Sequence, residues 1–214
     1  MKKINTINDY LRWRGDLPLA YAPFNEVDSV ILAMTSFMDL AGIVPGPGQP
    51  GTVSFQDALR RFDATPEKSR RFGVIIPNDT LELAHLAAES PRFADAELFA
   101  FENIIDEEQE MQFAAVTFRL SDGTLFAAFR GTDDSNVGWK EDFNMTFMSH
   151  VPAQDRAADY LNQIARQFPG GIRTGGHSKG GNLAIWSVVH AEPVVRQRVI
   201  RAYSNDGPGF SREL

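Results

Sequence analysis

Apolar positions recur at helical spacing through the first part of the chain and then give way to the pattern of strands. Ile4, Ile7, Tyr10 and Leu11 predict a helix over 4–14, closed by Gly15. Asn25 or Asp28 would cap a second helix carrying Val27, Val30, Ile31, Met34, Phe37, Met38 and Ala41, ended by Gly42. Its Met/Phe-rich face reads as packing surface. Val44-Pro45-Gly46-Pro47-Gly48-Gln49-Pro50-Gly51 interrupts the pattern as a loop too short to separate two domains. Helices over 54–62 and 78–88 follow, the latter capped by Asn78 or Asp79.

The pattern then changes. Strands rich in Phe, Ala, Val and Ile are predicted over 97–105, 111–120 and 124–130. Ser121-Asp122-Gly123 joins the last two as a tight hairpin, and the acidic run 106–110 joins the first two as a solvated turn. Ala157, Ala158, Leu161, Ile164 and Ala165 mark a helix over 154–168. A short strand leads to Gly175 and Gly176, a buried helix covers 182–190, and a last strand covers 199–203. Antiparallel strands feeding an alternating region imply an α/β fold, a mixed, mostly parallel sheet with helices on both faces. The expected organisation is a helical cover, 1–95, belonging to the same domain as a core over 96–214.

Composition narrows the function. The 214 residues hold 43% hydrophobic and 23% charged residues, ordinary values for a globular domain. A net charge of −7 without a Lys/Arg cluster argues against nucleic acid and against an anionic membrane surface. The absence of cysteine excludes disulfides, thiol catalysis and cysteine-ligated zinc. No carboxylate or histidine cluster has ligand spacing, so neither metal nor cofactor is expected. Polar residues follow Met1-Lys2-Lys3 where a leader needs an apolar stretch, and no window approaches a membrane span; a cytoplasmic location is expected.

The chemistry centres on Gly176-His177-Ser178-Lys179-Gly180, which fits the G-x-S-x-G turn from strand to helix. Glycines two before and two after the serine let strand and helix approach closely. The hydroxyl then projects at a helix N-terminus, where free N–H groups can stabilise an oxyanion. A second stretch, Phe129-Arg130-Gly131-Thr132, is a buried strand breaking into a polar loop. Gly138-Trp139-Lys140-Glu141-Asp142-Phe143-Asn144 reads as a polar and aromatic helix start.

These strings, with Gly176–Ala184 and Asn205-Asp206-Gly207-Pro208-Gly209-Phe210, resemble class 3 lipases of the α/β-hydrolase superfamily. More closely, they resemble the bacterial Mbeg-like family of lipase-like α/β-hydrolases, over about residues 5–210. The resemblance implies the α/β-hydrolase fold and a carboxylic-ester or lipid-like substrate. It makes Ser178 the nucleophile and the N–H groups of Thr132 and Lys179 the oxyanion hole. Lys179 stands where class 3 lipases usually carry an apolar residue. Asp206, after the strand that follows the helix, is the candidate triad carboxylate.

The general base is harder to find. This fold orders its triad Ser, acid, His, and of His85, His150, His177 and His190 just the last follows Ser178. Twelve residues along a helix put His190 about 18 Å away. The expectation is therefore a hydrolase core that is incomplete at its C-terminus, weak or inactive as an esterase at this length. The alternative is a hydrolase-like scaffold that binds without catalysis.

Overall fold

The computed structural model describes residues 6–66 and 77–210. Alternation in the strands assigns side chains to two opposite cores. On β3 (Met111–Arg119) and β4 (Leu125–Phe129), Val116, Phe118, Phe126 and Ala128 face one way. They pack with Leu11 of α1 (Ile7–Arg14), Ile31 and Leu32 of α2 (Glu26–Thr35), Leu59 of α3 (Phe55–Ala64) and Leu83 of α4 (Pro77–Glu89). Phe113, Ala115, Leu125, Ala127 and Phe129 face the other way. Their partners include Tyr160, Leu161 and Ile164 of α6 (Pro152–Gln167) and Leu183 and Ala184 of α7 (Lys179–His190). Period two in a sheet thus yields two buried layers, each closed by helices.

The remaining strands are β1 (Val53–Ser54), β2 (Glu97–Asp106), β5 (Ile172–His177) and β6 (Val199–Asn205). The six form one mixed sheet in chain order. The three pairings from β1 to β4 are antiparallel and the two joining β4, β5 and β6 are parallel. The parallel part is therefore the C-terminal side of the sheet and not most of it, contrary to the expectation from the sequence. The C-terminal ends of β4, β5 and β6 therefore lie side by side, the edge at which open α/β sheets bind ligands. Two short helices complete the fold, α5 (Asn136–Asn144) and α8 (Pro193–Arg196).

Three further expectations change. The second helix stops at Thr35 rather than at Gly42. The Thr35 and Ser36 hydroxyls donate to the carbonyls of Leu32 and Ala33 at 2.7 and 2.6 Å, tightening the last turn and releasing the chain. The fourth is described over Pro77–Glu89 with Asp79 inside its first turn rather than at its cap, and the Asn78 side chain lies outside what is described. The helix after Ser178 begins at Lys179, three residues before the expected Asn182, because Gly180 and Gly181 are helical there. Ile4, assigned to the first helix, lies outside the described residues.

The helical cover is tied down by Arg92. Its Nε and Nη2 donate to the Asp28 carboxylate at 2.6 and 2.5 Å, and its Nη1 donates to the carbonyls of Leu17 and Ala22. Asp28 also accepts the Asn25 N–H as half of the box that caps α2. One buried guanidinium thereby fixes the loop between α1 and α2.

Candidate active site

Ser178 stands between β5 and α7 with φ 55° and ψ −130°, a conformation that costs a non-glycine residue of order 1–3 kcal/mol. The flanking glycines make the turn possible. A Cβ on Gly176 would lie 2.6 Å from the Phe129 carbonyl oxygen, and one on Gly180 would lie 2.9 Å from the Arg130 carbonyl carbon. Gly131 is equally constrained, because a Cβ there would meet the His177 carbonyl at 2.6 Å and the Ser178 Cβ at 3.4 Å. The loop after β4 thus runs against the serine. On the other side the Ser178 N–H donates to the Asn205 carbonyl at 3.0 Å, joining the turn to the end of β6.

The three strand ends bring Thr132, Ser178 and Asp206 to one edge of the sheet. Lys179 occupies the first position of α7, where a backbone N–H has no partner within the helix. Thr132 donates its hydroxyl to Asp142 Oδ2 of α5, and Asp142 Oδ1 is buried without a partner among the described residues. Asp206 has φ 57° and an exposed side chain. Ser178, Lys179, Asp142 and Asp206 line a cavity of about 1060 Å³, rimmed by Phe147 and Phe210.

The Lys179 side chain leaves the mouth of this cavity for the interior. Its Nζ donates to Gln112 O at 2.8 Å, Gln112 Oε1 at 2.7 Å and Glu141 Oε2 at 2.8 Å, so all three protons are used. Glu141, fully buried, also accepts the N–H groups of Gln112 and Ala153, each at 3.0 Å. Adjacent residues of α5 therefore hold the two proposed oxyanion donors, Glu141 through Lys179 and Asp142 through Thr132. Sequence reasoning missed Glu141; the signal was a lysine beside the serine with a Lys-Glu-Asp run upstream, which falls inside α5 and not at its start. A second chain of bonds runs from Gln154 Nε2 to Asn182 Oδ1 at 2.7 Å. From there Asn182 Nδ2 donates to the carbonyls of Pro208 and Gly209, each at 3.2 Å. It fixes the loop that carries Asp206.

Among the described residues no histidine lines the cavity or hydrogen-bonds Ser178. His85 pairs with Asp63 and His150 with Asp155, each at 3.3 Å. His177 meets the Phe37 ring edge-on at 6.4 Å, and His190 stacks on Trp186 at 4.0 Å. No group of potential metal ligands occurs among the described residues, and no described helix is long and apolar enough to cross a membrane.

The family model described as Mbeg1-like matches residues 87–214, more than half of the chain and all of the site. No curated protein and no solved structure matches.

Proposed function

We propose, from the premise that this chain belongs to the Mbeg1-like family, that it is a serine hydrolase domain of the α/β-hydrolase, lipase-like type acting on carboxylic esters through Ser178. The observation that carries the reading is the strained Ser178 backbone, held at the mouth of a large cavity by glycine contacts on both sides. Strain of that kind persists where the surroundings over-determine it, as at functional turns. In this reading Ser178 Oγ attacks the ester carbonyl while the N–H groups of Thr132 and Lys179 receive the developing oxyanion. Asp206 is the carboxylate that orients a base. With no histidine in the cavity, the hydroxyl proton lacks an acceptor of suitable basicity, and turnover by these 214 residues is slow.

The same vacancy favours a second reading, a hydrolase-like scaffold that binds an ester-like ligand without cleaving it. Added imidazole separates the two. It should raise the hydrolysis of a short p-nitrophenyl ester in a saturable manner that is lost in Ser178→Ala. Equal imidazole-dependent rates in both proteins would remove the hydrolase reading.

A further inference from the structure

The charges around the cavity carry a statement about substrate that rests on the Ser178 reading. Two carboxylates line it, Asp142 and Asp206. One oxygen of Asp142 is buried with no donor, and the Asp206 carboxylate meets no hydrogen-bond partner among the described residues. The cations of the neighbourhood are already committed. Lys179 Nζ is buried against Glu141 and Gln112. Arg130 is buried with Nη2 2.6 Å from Asn103 Oδ1 and 3.6 Å from Asp133. Among the described lining residues no free positive charge offsets the two aspartates. The rim adds the rings of Phe147 and Phe210, whose faces attract cations. Carboxylates, the Phe147 and Phe210 rings and apolar Met145 and Met148 in the lining of one cavity make a surface for an organic cation.

We propose that the Ser178 cavity takes a substrate bearing positive charge, a quaternary or protonated amine on the leaving part of the ester, met by the exposed Asp206 carboxylate and attracted through the wall by the charge of Asp142. An anionic leaving part would be repelled by the same two groups.

The test uses two phosphorylating reagents that leave the same diethylphosphoryl group on serine. One is O,O-diethyl S-(2-trimethylammonioethyl) phosphorothioate, and the other is its uncharged carbon isostere with an S-(3,3-dimethylbutyl) group. In each, a bond forms from Ser178 Oγ to phosphorus and the phosphorus–sulfur bond breaks. The electron pair leaves on the thiolate and the hydroxyl proton passes to solvent. Mass spectrometry of the intact chain and its Ser178 peptide gives the two rates, and their ratio cancels any general change in nucleophilicity. Two carboxylates within a few ångström at intermediate dielectric should favour the cation by about tenfold at low salt. The preference should shrink at high ionic strength and in Asp206→Asn and Asp142→Asn. Reversible binding of the same two compounds to Ser178→Ala, by calorimetry, gives the preference without chemistry.

A rate ratio near one, with labelling confined to Ser178, overturns the charge assignment and leaves the hydrolase reading standing. Absent labelling with a cationic preference in binding keeps the assignment and removes the nucleophile. Absence of both overturns both.

Discussion

Removing the Lys179 ammonium should unfold the chain more readily than any exposed substitution, because the perturbation strands a carboxylate in the interior. Lys179→Met keeps the length and apolar volume of the stem while deleting three donors, at 2.8, 2.7 and 2.8 Å from their acceptors. Glu141, fully buried, would retain its two bonds from the Gln112 and Ala153 N–H groups but lose its counter-charge. Breaking a buried pair by removing one partner costs about 3–5 kcal/mol. Removing both charges costs less, since the desolvation penalty of each goes with it. Lys179→Met combined with Glu141→Gln leaves one buried amide of the neighbourhood poorly paired, a cost of about 1–3 kcal/mol. The double variant should therefore be more stable than Lys179→Met alone by about 2 kcal/mol, and with Glu141→Gln alone also measured the double-mutant cycle should show the two changes to be non-additive. Urea unfolding at neutral pH, followed by far-UV circular dichroism and tryptophan fluorescence, supplies the free energies if the two transitions coincide. A single-variant loss below about 1 kcal/mol, or a cycle with no coupling, would refute the claim that this pair is a buried and interdependent unit.

Other outcomes follow from the same geometry. Gly180→Ala forces a methyl group towards the β4 backbone, so the thermal midpoint should fall and labelling of Ser178 should be lost together. Asn182→Ala cuts the bonds to the Pro208 and Gly209 carbonyls; hydrogen exchange should rise in 206–210 while α6 and β5 stay protected. Burial pushes the Tyr160 phenol well above its usual value, against a lowering by its bond with Thr117. A raised folded pKa contributes stability below the unfolded value near 10, and that contribution is lost as pH rises beyond it. Burial raises the Tyr203 phenol as well, so alkaline absorbance titration should show a late step at unfolding, and Tyr160→Phe should remove one tyrosine from it.

The sheet and most helices were legible because the apolar runs of β3 and β4 and the helical spacing in α6 are local facts. The turn at Ser178 was legible for a similar reason, since glycines at 176 and 180 are what two colliding backbones require. What escaped depended on partners distant in the chain. Arg92 reads as a surface charge until it meets Asp28, and Lys179 as a departure from an apolar pattern until it meets Glu141. Nothing near Thr35 announced that two hydroxyls would turn back on their own helix and end it early. The two-residue β1 has no period of its own and exists through its register with Leu98 and Glu97. No described histidine lines the Ser178 cavity, and His85, His150, His177 and His190 each have other contacts.

The central claim is that the strained turn presents Ser178 as a nucleophile. Incubation of the folded chain with a fluorophosphonate, followed by peptide mapping, tests it most directly. The account predicts one adduct per chain, on Ser178, abolished by prior unfolding in urea and absent from Ser178→Ala. A folded chain that stays unmodified, or that is modified at exposed serines no more slowly than at Ser178, would contradict it.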